Sequence, residues 1–270
     1  MDRARVSLNQ YTVKPLSLAQ AIDACARHDV GAIAPWRDKV AEMGVQRAAR
    51  AIRAAGLRVS SLCRGGFFPA ATASGRSAAI DANKRAIEAA ALGTTVLVLV
   101  PGAANGVSLP DARAMVADGI AAVLPFAVEH GVRLAIEPLH PMMIAERSVI
   151  ASLAEANDLA QSFASPSVGV IVDVYHVFWD YRVHHEIARA GERILGFHLS
   201  DWRTPAGDVT ADRAMIGDGS IDLAGLAASV GRAGYRGDIE IEVLNAKLWQ
   251  GDQDAVLTTA LERYAAIGAP

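Results

Sequence analysis

Short apolar segments alternate with longer amphipathic segments eight times along this chain, and this alternation constrains its fold more than any other feature. Each apolar segment has the length of a β-strand, and each amphipathic segment has the period of a helix. Parallel strands need a long connection of this kind, so the pattern predicts strand–helix units around a parallel sheet. The predicted strands are residues 6–10, 31–34, 57–62, 95–100, 132–137, 168–173, 194–199 and 238–243.

The predicted helices follow these strands at residues 18–26, 41–54, 78–91, 111–129, 149–161, 185–190, 223–233 and 254–266. Eight such units in 270 residues fit an α/β fold with a closed (β/α)8 barrel, which takes about 250 residues. A doubly wound sheet fits less well, because no G-x-G-x-x-G motif follows the first strand and the chain contains no P-loop motif. We therefore predict a single barrel domain spanning residues 1–270.

Composition and charge narrow the function classes. Hydrophobic residues make up 52% of the chain, which excludes intrinsic disorder, and the formal net charge of −3 argues against nucleic acid as a partner. The most apolar run, residues 94–100, is much shorter than the roughly 20 residues of a membrane span, so we expect no membrane association. The N-terminus has no apolar targeting region, and the widely spaced Cys25 and Cys63 resemble small buried residues of a reducing compartment. We expect a cytoplasmic protein.

Ionisable residues concentrate at the C-terminal ends of the last four predicted strands, where a barrel of this type carries its active site. Glu137 ends the fifth strand, Asp173 ends the sixth, His198 lies near the end of the seventh and Glu242 near the end of the eighth. Consecutive barrel strands are neighbours, so these four side chains can converge on one point. Glu240 points the same way as Glu242 but lies farther from the predicted mouth of the site.

Three carboxylates and an imidazole at one place favour a metal ion over a purely structural polar cluster. Burial of unpaired carboxylates costs several kcal/mol, and packed acids repel one another unless a cation neutralises them. The oxygen-rich ligand set lacks a thiolate and suits Mn²⁺ or Mg²⁺, with Co²⁺ or Zn²⁺ as alternatives. Such an ion can polarise a substrate carbonyl and stabilise an enediolate.

Five segments resemble motifs of the sugar phosphate isomerase/epimerase family with the xylose isomerase-like barrel, and the resemblance runs through nearly the whole chain. These segments are residues 135–139 (AIEPL), 173–176 (DVYH), 196–201 (GFHLSD), 217–222 (GDGSID) and 235–242 (YRGDIEIE). The ketose 3-epimerases of this family bind Mn²⁺ or Co²⁺ through Glu, Asp, His and Glu, which by motif implies ligands at Glu137, Asp173, His198 and Glu242. The resemblance also implies that the two glutamates form the catalytic acid/base pair and that His176 contacts the substrate.

One position departs from the epimerase pattern. In those epimerases a substrate-binding arginine follows the histidine ligand by six residues, whereas this chain has Thr204 at that position. Arg203 lies beside it and Arg213 lies farther along, and we take both as candidate substrate-binding residues. The departure argues against a standard ketohexose epimerase activity.

Several further residues follow predicted strand ends and are candidates to line a substrate pocket. Trp36 follows the second strand, Arg64 opens a glycine-containing segment after the third, and His140 lies three residues after the glutamate of the fifth. Asn9 and Gln10 at the end of the first strand are further candidates. Each has a structural alternative, as a packed aromatic, a turn residue or a polar residue of the surface.

We predict a divalent-metal-dependent isomerase or epimerase that acts on a ketose or keto-sugar, a small sugar or polyol carbonyl compound. Glu137 and Glu242 would exchange a proton at the carbon next to a carbonyl held by the ion, most simply Mn²⁺. One alternative is a lyase with the same site, either a keto-inositol or dehydroshikimate-type dehydratase or a subunit that cleaves keto-C-glycosides. Another is a non-catalytic sugar-binding subunit. A homo-oligomer, dimer or tetramer, is also expected.

Overall fold

The computed structural model describes residues 1–267, and nine parallel strands in this range form one sheet. The strands are β1 (Val6–Asn9), β2 (Ala32–Ala34), β3 (Arg58–Val59), β4 (Leu62–Gly66), β5 (Val96–Val100), β6 (Arg133–Ile136), β7 (Val168–Asp173), β8 (Ile194–Leu199) and β9 (Ile239–Ile241). Their order is β3-β2-β1-β9-β8-β7-β6-β5-β4, so the sheet curls into a nearly closed barrel. The predicted barrel class is confirmed. Residues 268–270 of the predicted domain lie outside the described residues.

The third predicted strand is divided in two, which accounts for the ninth strand. β3 pairs with β2, β4 pairs with β5, and Ser60 and Ser61 lie between them. The two edges meet where Trp36 and Cys63 form an isolated parallel bridge and the Cys63 amide donates to the Pro35 carbonyl, at 3.2 Å. We call this junction between β2 and β4 the seam.

The helices pack outside the sheet, and ten α-helices lie within residues 1–267. They are α1 (Leu18–Arg27), α2 (Arg37–Met43), α3 (Val45–Ala54), α4 (Ala73–Ala89), α5 (Leu109–Glu129), α6 (Leu153–Ser162), α7 (Val174–Val177), α8 (Val183–Ala190), α9 (Leu223–Arg232) and α10 (Gln253–Ala266). The helix predicted at 41–54 is interrupted at Gly44, whose φ of +86° ends α2. None of these helices has the length and apolarity needed to cross a membrane.

Successive side chains of each strand point to opposite faces of the sheet, so the apolar residues form two clusters, one on each face. In β5, Leu97 and Leu99 belong to the main core, which packs the helices against the sheet. Val96 and Val98 instead join Ala135 in a smaller cluster on the opposite, inner face. Apolar side chains therefore fill part of the barrel interior, and the C-terminal ends of the strands are left to polar residues.

Candidate metal centre and active site

Four ionisable side chains meet at the C-terminal ends of β6 to β9. Glu137 directly follows β6, Asp173 ends β7, His198 lies in β8, and Glu242 directly follows β9. One potential ligand atom from each lies within 4.8 Å of those from the others, and all four residues are buried. The structure thus brings together the residues that the sequence pattern placed at neighbouring strand ends.

The sheet register sets these positions. Asp173 and His198 are paired across β7 and β8. The Glu137 amide donates to the Leu99 carbonyl at 2.9 Å and the Glu242 amide to the Leu199 carbonyl at 2.8 Å, so both glutamates extend the hydrogen-bonding ladder. Each side chain is therefore held by backbone that the barrel itself fixes.

The guanidinium group of Arg213 lies within this cluster. Its Nη1 donates to Asp173 Oδ2 at 2.9 Å and lies 3.5 Å from Glu242 Oε2. Burial raises the pKa of Asp173, and the positive charge of Arg213 only partly offsets this effect. Burial would also raise the pKa of Glu242, but Arg213 and His198 together hold it below its usual value.

The His198 ring contacts carboxylates on both edges. Nδ1 lies 3.2 Å from Glu137 Oε1 and 3.2 Å from Glu242 Oε2, while Nε2 lies 3.3 Å from Glu240 Oε2. Burial alone would lower the pKa of His198, but the charge of Glu240 and the contacts with Glu137 and Glu242 outweigh it and hold the pKa well above the usual value. The ring therefore lies in a strongly negative environment.

Glu240 lies deeper in the barrel than Glu242 and is held by two side chains from neighbouring strands and segments. Ser60 Oγ donates to Glu240 Oε1 at 2.8 Å. Asn9 Nδ2 lies within donating distance of Glu240 Oε2 at 3.3 Å and Glu242 Oε1 at 3.1 Å, and Asn9 Oδ1 accepts from Trp36 Nε1 at 2.8 Å. Asn9 thus links the two glutamates to Trp36.

A divalent cation fits the residues present. Glu137, Asp173, Glu240 and Glu242 bring four carboxylates to this region, and Arg213 and a protonated His198 can neutralise two of them. His198 Nδ1 forms a hydrogen-bonded pair with Glu242 Oε2, and the buried Glu137 Oε1 has no hydrogen-bond partner among residues 1–267. A hard cation would neutralise the excess negative charge and would take the unpartnered carboxylate oxygen as a ligand. Glu137, Asp173, His198 and Glu242 are the residues that could hold it.

A cavity of about 470 Å³, partly open to solvent, adjoins the cluster. Glu137 and Glu242 line it together with four predicted substrate-binding residues, Trp36, Arg64, His176 and Arg213. Glu137 and Glu242 therefore border a space that opens to solvent.

His176 lies in the short helix α7, directly after β7. Its Nδ1 accepts the His140 backbone N–H at 3.2 Å, and its Nε2 lies 3.2 Å from Arg213 Nη2 and 3.5 Å from Asp173 Oδ2. Burial, followed by the charge of Arg213, lowers the pKa of His176 well below its usual value. The ring is therefore neutral and fixed at the cavity wall.

The structure does not bring His140 or Arg203 to the cavity. The His140 ring packs against Trp202 with centroids 4.5 Å apart, and its backbone supports His176. Arg203 is half exposed and pairs with Asp212 at 3.3 Å. The chain after β8 turns away before Arg203 can reach the cavity, and Arg213 lines it instead.

Arg147 lines the cavity and was not predicted from the sequence. It lies in the segment between β6 and α6, which also follows a strand at its C-terminal end. Its position in a strand-to-helix loop suggests a residue near the active site. The loop has no periodic pattern, however, so the sequence does not indicate which of its side chains reaches the cavity. Its Nε is buried and has no hydrogen-bond partner among residues 1–267.

A family model for the xylose isomerase-like TIM barrel matches residues 22–266. The chain belongs to this family. Protein SMc04130 from Sinorhizobium meliloti 1021 is another solved relative of this TIM barrel, with 47% sequence identity, 98% coverage of both chains and a TM-score of 0.95.

More distant structures share the xylose isomerase-like barrel. The IolI protein, solved with a bound zinc atom, is 18% identical over 97% of both chains with a TM-score of 0.84. D-allulose 3-epimerase from Methylomonas sp. is 18% identical over 99% of both chains with a TM-score of 0.76. A search of curated protein sequences finds no significant match. At 18% identity, IolI and D-allulose 3-epimerase show only that the fold is shared.

Proposed function

We propose that this member of the xylose isomerase-like family is a divalent-metal-dependent isomerase or epimerase of a ketose or keto-sugar. The observation that carries the proposal is the convergence of Glu137, Asp173, His198 and Glu242 on one point beside a cavity. The names of two similar structures, a zinc-bound protein and a ketose 3-epimerase, support the same class. Mn²⁺ is the proposed ion because three of the four ligands are carboxylates.

The ion, when bound, supplies Lewis-acid polarisation of the substrate carbonyl and stabilises negative charge on its oxygen. The polarised group acidifies the hydrogen on the neighbouring carbon, so a carboxylate can remove it as a general base. Glu137 and Glu242 both line the cavity and approach the same atom of His198, at 3.2 Å each. In the proposed reaction one glutamate takes the proton and the other returns one, which inverts the carbon or moves the carbonyl.

The remaining residues position the substrate and the two bases. His176 is held from behind by the His140 backbone, and its neutral ring orients a substrate hydroxyl in this proposal. Arg213 keeps Asp173 and Glu242 in place through contacts of 2.9 and 3.5 Å. Apolar side chains on the cavity wall, among them Leu139, Met143 and Leu244, limit the access of water to the reacting carbon.

A panel of ketoses, keto-sugars and inososes in D₂O, followed by NMR with and without Mn²⁺, tests the proposal. We expect exchange of a carbon-bound proton next to the carbonyl, its loss on chelation and its recovery when Mn²⁺ is returned. Glu137→Gln and Glu242→Gln should each abolish exchange, whereas Glu262→Gln, on the exposed side of α10, should leave it intact.

Other outcomes assign other functions. Release of water or of an aglycone would identify a lyase with the same site. Metal and sugar binding without exchange of any substrate proton would identify a binding subunit. Full exchange in Glu137→Gln or Glu242→Gln would refute the proposed acid/base pair.

A further inference from the structure

Three arginine side chains line the cavity, but only one of them has carboxylate partners among residues 1–267. Arg213 is paired with Asp173 and Glu242, as described above. Arg64 and Arg147 form no side-chain hydrogen bond and no ion pair with any of residues 1–267. Two guanidinium groups therefore face the same cavity without a counterion from the described part of the chain.

A β-bulge directs Arg64 to this position. Cys63 pairs with Val98 and Gly65 pairs with Leu99, so Arg64 is the extra residue of β4. Bulges of this kind turn a side chain out of the regular alternation and occur next to active sites. The Arg64 guanidinium lies 5.0 Å from the ring centroid of Trp36 and 5.1 Å from that of Phe67. These contacts pack the group against two rings, and no residue among 1–267 accepts a hydrogen bond from its N–H groups.

Arg147 approaches the cavity from the loop after β6. Burial lowers the pKa of Arg147, and the next largest effect is the like charge of Arg64. A buried donor without a partner is unfavourable, and two nearby guanidinium groups repel each other. An anion between them would remove both penalties, since carboxylate and phosphate oxygens match the planar N–H groups of arginine.

We propose that Arg64 and Arg147 form a subsite that binds a carboxylate or phosphate group of the substrate. The cavity then has two chemically different ends, a carboxylate cluster for a cation and a pair of arginines for an anion. Only the assignment of the anion to the substrate rests on the proposed function. Within the proposed function, the substrate is then a ketose or keto-sugar that carries a carboxylate or phosphate group.

Inorganic phosphate and acetate are the probes that test the subsite. Each replaces chloride at constant ionic strength, and the full chain is first stripped of divalent ions on a chelating resin so that phosphate cannot bind through an ion. The thermal unfolding midpoint is measured against probe concentration, because a ligand that binds only the folded chain raises it saturably. General salt effects do not saturate and act on every variant alike.

We expect a saturable rise with at least one probe, and at least a tenfold weaker apparent affinity in Arg64→Gln and Arg147→Gln. Arg182→Gln removes the same charge from an exposed side chain paired with Glu186 and should bind as the parent does. Binding of phosphate alone assigns a phosphorylated substrate, and binding of acetate assigns a keto acid.

No saturable rise with either probe, or an equal rise in the parent and all variants, would overturn the subsite. Either result leaves the exchange assay with neutral ketoses unaffected. Intact anion binding together with no proton exchange in a panel extended to keto acids and phosphorylated keto-sugars would refute only the proposed function.

Discussion

His198 Nε2 lies 3.3 Å from Glu240 Oε2, on the opposite edge of the ring from the nitrogen that faces Glu137 and Glu242. A histidine that binds a metal through one nitrogen commonly donates from the other to a carboxylate, which fixes the ring and its tautomer. Glu240 is in turn held by Ser60 and Asn9. Nε2 is buried without an aligned hydrogen-bond partner among residues 1–267, so Glu240 acts on His198 through its charge, and we expect it to orient the ring when a metal binds at the other edge.

Glu240→Gln should therefore weaken Mn²⁺ binding about tenfold, because loss of such a supporting carboxylate costs roughly 10- to 100-fold in metal affinity. Calorimetric titration with Mn²⁺ measures this directly, without reference to activity. Glu262→Gln, which changes the same charge far from the site on the surface of α10, serves as the control. Equal affinities in the parent and Glu240→Gln would show that Glu240 does not orient the ligand.

Gly66→Ala should destabilise the fold by about 3 kcal/mol. Gly66 has a φ of +99°, and an added Cβ would collide with the Val100 carbonyl, which belongs to the neighbouring strand and cannot move freely. Gly131 has a φ of +66° but open space around its Cβ, so Gly131→Ala isolates the backbone strain and should cost about 1 kcal/mol. Urea unfolding of both variants gives the comparison, and equal losses would contradict the collision.

Stability should depend on the protonation of His140 between pH 7 and pH 5. Burial lowers the pKa of His140 to about 4, whereas an unfolded histidine titrates near 6.5. Between these values the unfolded chain binds a proton that the folded chain excludes, so the free energy of unfolding falls as the pH falls. The contribution between pH 7 and pH 5 is about 2 kcal/mol.

His140→Asn separates this titration from the structural role of the side chain. His140 Nδ1 accepts the Met142 amide at 3.2 Å, and an asparagine oxygen can accept at the same place. We expect the variant to lose about 2 kcal/mol less stability than the parent between pH 7 and pH 5, measured by urea unfolding. Parallel curves for the two proteins would exclude His140 as the titrating group.

Cys25 should resist thiol reagents in the folded protein. Burial raises the pKa of its thiol to about 12, so almost no thiolate is present at pH 8, and the side chain is enclosed in the core. Ellman's reagent at pH 8 is expected to titrate Cys25 only on the timescale of unfolding and rapidly in urea. A Cys63→Ser variant leaves Cys25 as the sole thiol for the measurement. Fast labelling without denaturant would contradict the buried position.

The sequence predicts the barrel from its alternating strands and helices. It also predicts the cluster, because each of the four ionisable side chains lies at or next to the end of an apolar strand that the pattern marks. The positions of the arginines depend on loop paths instead. Asp201 accepts the amides of Gly217 and Gly219 at 3.1 and 3.0 Å, which folds the segment after β8 back and carries Arg213 into the cluster while Arg203 stays outside. Hydrogen bonds between distant residues leave no periodic signal, so this exchange of roles was not predictable.

The division of the third predicted strand into β3 and β4 was also not predictable from the sequence pattern. In the sequence, Ser60 and Ser61 are compatible with one continuous strand. In the structure, β3 ends at Val59, Ser60 Oγ donates to Glu240 inside the barrel, and β4 begins only at Leu62. Apolar alternation alone cannot report such an interruption.

The seam places one wall of the cavity at a break in the sheet. Trp36 lies on one side of it and Arg64 on the other, and the guanidinium rests 5.0 Å from the indole ring across the gap. Around the rest of the sheet each strand is hydrogen-bonded to its neighbours, with register shifts between β4 and β5 and between β7 and β8. At the seam the strand ladder is reduced to a single bridge, and the Trp36–Arg64 cation–π pair adds a side-chain contact between the two edges beside the cavity.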